Sequence, residues 1–138
     1  MSDAARDLEL VKEVYRNYAE GRIDAVFEAL HPRFTFISCG PPDRMKTSGV
    51  WEGADGLRAY LGHLTQEWSI EEHEPLEFIQ QGNRIVARTR VRTRSLTTDG
   101  CATLEKADFW TVEDGRILSF QEIFDTATAL STCPAPGL

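Results

Sequence analysis

The chain has 138 residues, with 15 Lys plus Arg against 22 Asp plus Glu, a formal net charge of −7 at pH 7. That length suits one domain with one core and room for an internal pocket. The acidic balance, with a pI near 4.9, argues against a general nucleic-acid binder, because phosphate affinity rests on clustered cations. Hydrophobic content of 41% with seven Phe, three Trp and three Tyr excludes wholesale disorder.

The expected setting is cytoplasmic. No apolar run approaches the ~20 residues that cross a bilayer, and the start Met1-Ser2-Asp3-Ala4-Ala5-Arg6-Asp7 lacks a signal-peptide core. Cys39, Cys101 and Cys133 are an odd count without a close pair or a histidine at metal-ligand spacing. Cys39 reads as a small buried hydrophobe and Cys133 as an exposed tail residue.

The first predicted helix runs from about Asp7 to Glu20. Leu8, Val11, Val14, Tyr15 and Tyr18 recur there at spacings of three and four, and Gly21 closes it. A second short helix covers Ile23 to Leu30 and stops before Pro32. Arg33 to Ser38 reads as a strand, Gly40-Pro41-Pro42-Asp43 as a break, and Val50 to Glu52 as a short strand. A third helix covers Ala54 to Trp68, with Leu57, Tyr60, Leu61, Leu64 and Trp68 on one stripe.

After that the period changes from 3.6 to 2. Ile70–Gln80, Arg84–Leu96, Ala102–Val112 and Arg116–Phe124 read as four long strands, joined at Gln81-Gly82-Asn83, Thr97-Thr98-Asp99-Gly100 and Glu113-Asp114-Gly115. Helices followed by an antiparallel meander give an α+β fold, a curved sheet packed against N-terminal helices. Residues 1–128 form the expected single domain and 129–138 an expected flexible tail.

Three stretches carry a family resemblance: Tyr18-Ala19-Glu20-Gly21-Arg22-Ile23-Asp24-Ala25 running into Phe34-Thr35-Phe36; Trp51-Glu52-Gly53 before the third helix; and Asp108-Phe109-Trp110-Thr111-Val112-Glu113-Asp114-Gly115-Arg116-Ile117 continuing to Phe124-Asp125. Together they resemble the SnoaL-like and ketosteroid-isomerase-like branch of the nuclear-transport-factor-2-like superfamily. The resemblance implies a cone: a strongly bent, mixed sheet wrapped around three helices, with an apolar pocket at the open end. It also implies a homodimer paired through the outer sheet face.

In the family's isomerases a carboxylate base sits on the first long strand, and an oxyanion hole is made by a helix-one tyrosine and a protonated aspartic acid, a neutral acid kept so by its apolar site. Carried onto this sequence, the base position falls on Ser38, which cannot take a proton from carbon without a neighbouring base. The oxyanion acid falls on Asp108 and the tyrosine near Val14 or Tyr15. Asp108, Tyr15, Tyr18 and Ser38 are therefore the candidate catalytic residues. Asp108 is the expected acid/base and Ser38 a positioning residue at the pocket mouth.

Read from the residues alone, Asp108 lies in an apolar strand beside Phe109 and Trp110. Facing inward, its carboxyl would be raised in pKa by desolvation; facing outward, it would pair with an arginine of the preceding strand. Lys106, two residues away, shares its face. Glu105 and Glu122 are further candidates whose facing one register step reverses. Trp51, Tyr60, Trp68, Trp110, Phe120 and Phe124 are the candidate ligand-binding aromatics, with core packing as the alternative for the tryptophans.

Arg84, Arg88, Arg90, Arg92 and Arg94 fall on one face of one strand. They read as an anion stripe or, more simply, as an outer face crossed by neighbouring carboxylates. The pocket side is then that of Ile85, Ala87, Thr89 and Val91. His31 reads as solvated, and His63 and His73 as isolated. No metal and no organic cofactor is expected. The expected partner is a small hydrophobic molecule, with no nucleic acid and no membrane. The chemistry implied is proton transfer of isomerase or cyclase type on a carbonyl or polyketide-like substrate. The alternative is a non-catalytic binding or interaction module, favoured by the serine at the base position.

Overall fold

The computed structural model describes residues 1–134. Helix α1 spans Asp3–Ala19; Ser2 caps it by accepting from the Ala5 N–H at 3.1 Å, and Val11, Val14 and Tyr15 form its buried face. Gly21 follows in the left-handed region at φ 76°, which a side chain there would strain. Helix α2 is Ile23–Glu28. It ends two residues earlier than the sequence suggests, because Leu30 already belongs to strand β1, Leu30–Ser38. The Ala29 carbonyl is taken by the Ile117 N–H at 2.9 Å, so sheet pairing overrides local helix propensity.

Strand β2 (Gly49–Glu52) precedes α3 (Gly53–Glu67). Trp68, expected on the helix stripe, is instead the first residue of β3 (Trp68–Gln81): its backbone is extended and pairs with Ser95. Strands β4 (Arg84–Ser95), β5 (Cys101–Glu113) and β6 (Arg116–Phe124) follow. Asp114 and Gly115 both have positive φ, the geometry of a tight hairpin turn between β5 and β6.

The sheet has six strands in the order β2-β1-β6-β5-β4-β3, with β1 and β6 parallel and all other neighbours antiparallel. It is mixed and does not close, so β2 and β3 are edges. Pro75 sits in the β3 edge beside a register shift, as proline in a sheet requires.

On β4 the odd-numbered residues 85 to 95 are all buried, which fixes the inner face as the one carrying Ile85, Ala87, Thr89 and Val91. The main core joins Ile85 and Ala87 to Val11, Val14 and Tyr15 of α1, Leu57 and Tyr60 of α3 and Phe34 and Phe36 of β1. A second cluster, Met45, Trp68, Val91, Leu104 and Ala129, lies at the other end.

Ala129 comes from a helix the sequence reading lacks, α4, Thr126–Leu130, capped by the Asp125 carboxylate on the Thr128 N–H at 3.0 Å. Residues 129–132, expected in a flexible tail, are thus the end of a packed helix and its turn. Ala129 is buried, and the Thr132 carbonyl accepts a hydrogen bond from the Thr98 hydroxyl. Cys133, expected exposed, is half-buried against this second cluster. The rest of that tail, 135–138, lies outside the described residues.

Candidate functional site

Cross-strand register places one row of side chains on the inner face: Ser38 of β1 opposite Glu122 of β6, and Glu122 opposite Asp108 of β5, with Ala87 of β4 beyond. Lys106, two residues before Asp108, shares its face, and its side chain is only 8% exposed. Its ammonium nitrogen stands 3.3 Å from Asp108 Oδ1 and 3.3 Å from Glu122 Oε1. Two carboxylates and one cation are therefore gathered out of water, an arrangement that persists only where each charge finds partners.

The partners are present. Glu122 Oε2 accepts from the Ser38 hydroxyl at 2.9 Å and from the Tyr60 hydroxyl at 3.4 Å. Asp108 Oδ2 accepts from Tyr15 at 2.5 Å and from Thr89 at 3.1 Å. The Trp110 indole N–H donates in turn to the Tyr15 oxygen at 2.9 Å, which fixes the direction in which that hydroxyl points. Asp108 Oδ1 has no hydrogen-bonding donor of its own and meets Lys106 as an ion pair only.

The electrostatics follow from these distances. Burial pushes the Asp108 carboxyl up from its ordinary value, opposed by Lys106 and by the Tyr15 hydroxyl. Burial alone would lower Lys106, but Asp108 and Glu122 outweigh it and hold the ammonium above its usual range, so it stays a cation at neutral pH. Burial, reinforced by the neighbouring carboxylates, raises the hydroxyls of Tyr15 and Tyr60, which therefore act as donors. His73 stacks on Tyr15 at 5.8 Å and meets Tyr18 edge-on at 5.0 Å; burial, with Lys106 nearby, pushes it down to about 2, so it is neutral.

A cavity of about 160 Å³ opens inside the cone. Apolar side chains from α1, α2, α3 and the inner sheet face form most of its wall, and Tyr15, Tyr18, Tyr60, His73, Lys106 and Glu122 are among its polar points, with Thr47 and Thr93. Five of the six expected aromatics line it: Tyr60, Trp68, Trp110, Phe120 and Phe124. Trp51 does not. Its indole N–H is spent on the Thr47 carbonyl at 3.1 Å, and its ring packs outside Tyr60 and against His63.

Asp108 and Ser38 also stand apart from the cavity wall. Asp108 is 0% exposed and lies behind Tyr15, Lys106 and Thr89; Ser38 is 3% exposed and lies behind Glu122 rather than at the mouth. The carboxylate that reaches the cavity is Glu122. Glu105, its rival in the sequence reading, faces outward and holds Arg88 at 2.5 Å. His73, read as isolated, is a wall residue, and His31 is not solvated: its side chain is 11% exposed and stands 3.6 Å from Glu113.

The sequence signal for Glu122 was its even spacing with Phe120 and Phe124. It could not be used alone, because the facing of β6 depends on its pairing with β1. As for metals, His31, Glu113 and Asp114 bring one ligand atom each within 4.8 Å of one another at the surface. Arg33 already occupies Glu113 at 3.1 Å, so that group works as an ion-pair cluster. Cys39, expected as a buried hydrophobe, is half-buried and accepts the Phe124 N–H at 3.4 Å.

The same architecture recurs in solved proteins. An NTF2-like protein of unknown function from Burkholderia pseudomallei is 28% identical, covers 98% of this chain and 100% of its own, and superposes with a TM-score of 0.85. An NTF2-like protein from Burkholderia xenovorans is 20% identical over 95% of this chain and 98% of its own, TM-score 0.82. TerC, co-crystallised with polyporic acid, is 24% identical over 92% of this chain and 97% of its own, TM-score 0.85. No curated protein matches the sequence. The family model of the SnoaL-like domain matches residues 11–120, a span that runs from Val11 in the buried face of α1 to Phe120 in the cavity wall. The chain therefore belongs to the SnoaL-like domain family, on the NTF2-like fold.

Proposed function

We propose that the protein is a cofactor-free acid–base catalyst acting on a small, largely apolar carbonyl compound, by isomerase- or cyclase-type proton transfer. The observation that carries this reading is Glu122: one carboxylate at the wall of an otherwise apolar cavity, oriented by Ser38 and Tyr60 and set against the Lys106 ammonium. A desolvated, oriented carboxylate is a competent base toward a carbon acid. Ser38 at the expected base position is thus no loss of function in this reading, because its parallel partner on β6 brings the carboxylate to the same place.

In the proposed reaction Glu122 takes a proton from the carbon next to the carbonyl. The negative charge that develops on the carbonyl oxygen is met by the Lys106 ammonium, aided by a tyrosine hydroxyl of the wall; preorganised charge in a dry site is a strong stabiliser of such a transition state. Protonated Glu122 then returns the proton to a different carbon, giving an isomer, or the carbanion adds to a second carbonyl carbon of the same substrate, opening that C=O, and the new alkoxide takes the proton back from Glu122. Asp108 acts here as a positioning residue that holds Lys106 and Tyr15 rather than as the proton carrier. The cocrystallisation of TerC with an organic acid, polyporic acid, is in keeping with a small-molecule ligand on this fold.

The test is deuterium exchange from D₂O into the α-carbon of cyclohexanone. Glu122→Gln is expected to lose the catalysed exchange by about 10²–10⁴-fold, the usual worth of a positioned base. Equal rates for wild type and Glu122→Gln would overturn the role. Ligand binding without any exchange would favour the non-catalytic binding module instead.

A homodimer through the outer sheet face is part of the same proposal. Val50, Ile37, Phe109, Val86 and Ile79 stand in one register row across that face, with Gln121 of β6 between Ile37 and Phe109, and Val50 and Ile79 are 60% and 63% exposed. Such a row is a liability unless covered. Sedimentation of Ile79→Lys and Phe109→Lys against wild type tests it: a monomer in the variants and a dimer in the parent are expected.

A further inference from the structure

We infer that the substrate is a single-ring carbonyl compound carrying an aliphatic chain, its ring in the inner cavity and its chain in the groove between α2, α3 and β3. The ring's orientation rests on the acid–base reading of Glu122 above; the size and the chain rest on the shape of the molecule.

A cavity of about 150 Å³ takes one benzene ring, and the inner cavity here is about 160 Å³. That volume matches one six-membered ring against Glu122 and Lys106, and a fused bicycle exceeds it. The cavity is not the end of the space, however. A broader groove of about 930 Å³ shares Tyr18, Ile23, Leu61, Leu64, Trp68, Ile70 and His73 with it. Those seven residues are the neck through which anything longer than one ring must pass.

Beyond the neck the groove offers Phe27 and Leu96 along with the charged rim of Asp24, Arg58, Glu71, Glu72 and Arg94. Most of the rim is already engaged. Arg58 pairs with Asp55 at 3.0 Å and lies 4.8 Å over the Phe27 ring, Arg94 pairs with Glu71 at 3.0 Å, and Glu72 holds Arg90 at 2.8 Å. An anionic substituent would have to take Arg58 or Arg94 from its carboxylate, whereas an aliphatic chain lying on Leu96 disturbs none of these pairs.

The groove can be filled without touching the cavity. Gly62 on α3 lines the groove and not the cavity, and a Cβ built there meets nothing within 4 Å. Replacing glycine inside a helix also favours the fold. Gly62→Trp is thus a plug that leaves the ring site intact, and Thr65→Trp, one turn on and also a groove residue, is a second.

NMR titration of the full chain with cyclohexanone, 4-butylcyclohexanone, 4-hexylcyclohexanone and 1-decalone tests the proposal. Full burial of a methylene tightens binding about fourfold, and an open groove that covers half of it about twofold. Kd is therefore expected to fall about twofold per carbon along the alkyl series, 1-decalone to bind more weakly than cyclohexanone, and Gly62→Trp or Thr65→Trp to flatten the series while leaving cyclohexanone unchanged. A Kd independent of chain length, a series unaffected by both plugs, or 1-decalone bound as tightly as 4-butylcyclohexanone would overturn it. The two readings fail separately. A chain-length slope without deuterium exchange keeps the ring-and-chain ligand and removes the chemistry, and exchange without a slope does the reverse.

Discussion

The two faces of β4 and β5 carry the same kinds of charge and use them in opposite ways. On the outer face Arg88 meets Glu77 and Glu105, Arg90 meets Glu72 and Glu74, and Arg94 meets Glu71 and Asp99, all in water. On the inner face one cation, Lys106, meets Asp108 and Glu122 with almost no water at all. Charges that solvent also satisfies contribute little by pairing. Charges that solvent cannot reach are held by one another, and removing one strands the rest. The outer ladder is a solvated surface, and the inner trio is where the proposed proton transfer would take place.

The sharpest way to break this contrast is Lys106→Met. It leaves two carboxylates facing each other in a dry site, and a loss of about 3–5 kcal/mol in stability at pH 7 is expected. Urea unfolding at pH 7 and at pH 5 checks it: the loss should be smaller at the lower pH, where the raised Asp108 carboxyl takes up a proton. A variant as stable as wild type at pH 7 would mean the trio is already neutral.

Next in size is the difference between the two inner carboxylates. Glu122→Gln is expected to abolish exchange as described, whereas Asp108→Asn, behind the cavity wall, should keep it within about tenfold of wild type. Rates measured side by side at pH 7 decide which carboxylate moves the proton. Loss in Asp108→Asn alone would return the base role to Asp108.

His73 gives a smaller, pH-dependent effect. Its folded value is pushed down to about 2 from the ordinary 6.5, so the unfolded chain takes up a proton below pH 6.5 that the folded chain refuses. Stability from this group is complete above that pH and falls by about 1.4 kcal/mol for each unit below it. The stability difference between wild type and His73→Phe, which keeps a ring between Tyr15 and Tyr18, should fall with that slope between pH 6 and 4.5. A flat difference would place water on the imidazole.

The smallest effect belongs to the outer ladder. Arg90→Gln is expected to move Tm by no more than about 2–3 °C and to have no effect on exchange, with any shift erased by added salt. A larger, salt-insensitive loss would show that the proposed dimer face extends beyond the apolar row and covers the ladder.

The comparison also separates what was legible in the residues from what was not. The even-numbered arginines named the outer face of β4 directly, and the odd-numbered apolar and threonine residues named the inner one. Period-2 alternation survives in the sequence because each strand has only two sides. Asp108 was legible as an inward acid only by resemblance. Its depth was not, since the wall in front of it is built by Tyr15 of α1 and Lys106. Helix α4 was missed because five residues carry too little periodicity, and its fixation comes from Ala129 packing on Met45, Trp68 and Leu104.

The sequence by itself determined the order of the elements up to β6, the turn glycines and the acidic balance, and by resemblance it pointed to the family. The elements and turns depend on local propensity and alternation, which a short window of residues contains. The tertiary structure alone decided the site. Parallel pairing of β1 with β6 sets Ser38 beside Glu122, and antiparallel pairing of β6 with β5 sets Glu122 beside Asp108. Ser38 and Glu122 are 84 residues apart in the chain, and a one-residue slip in either pairing would have turned Glu122 to the outside. Of the 22 carboxylates that make the chain acidic, the one that faces the cavity is chosen by register.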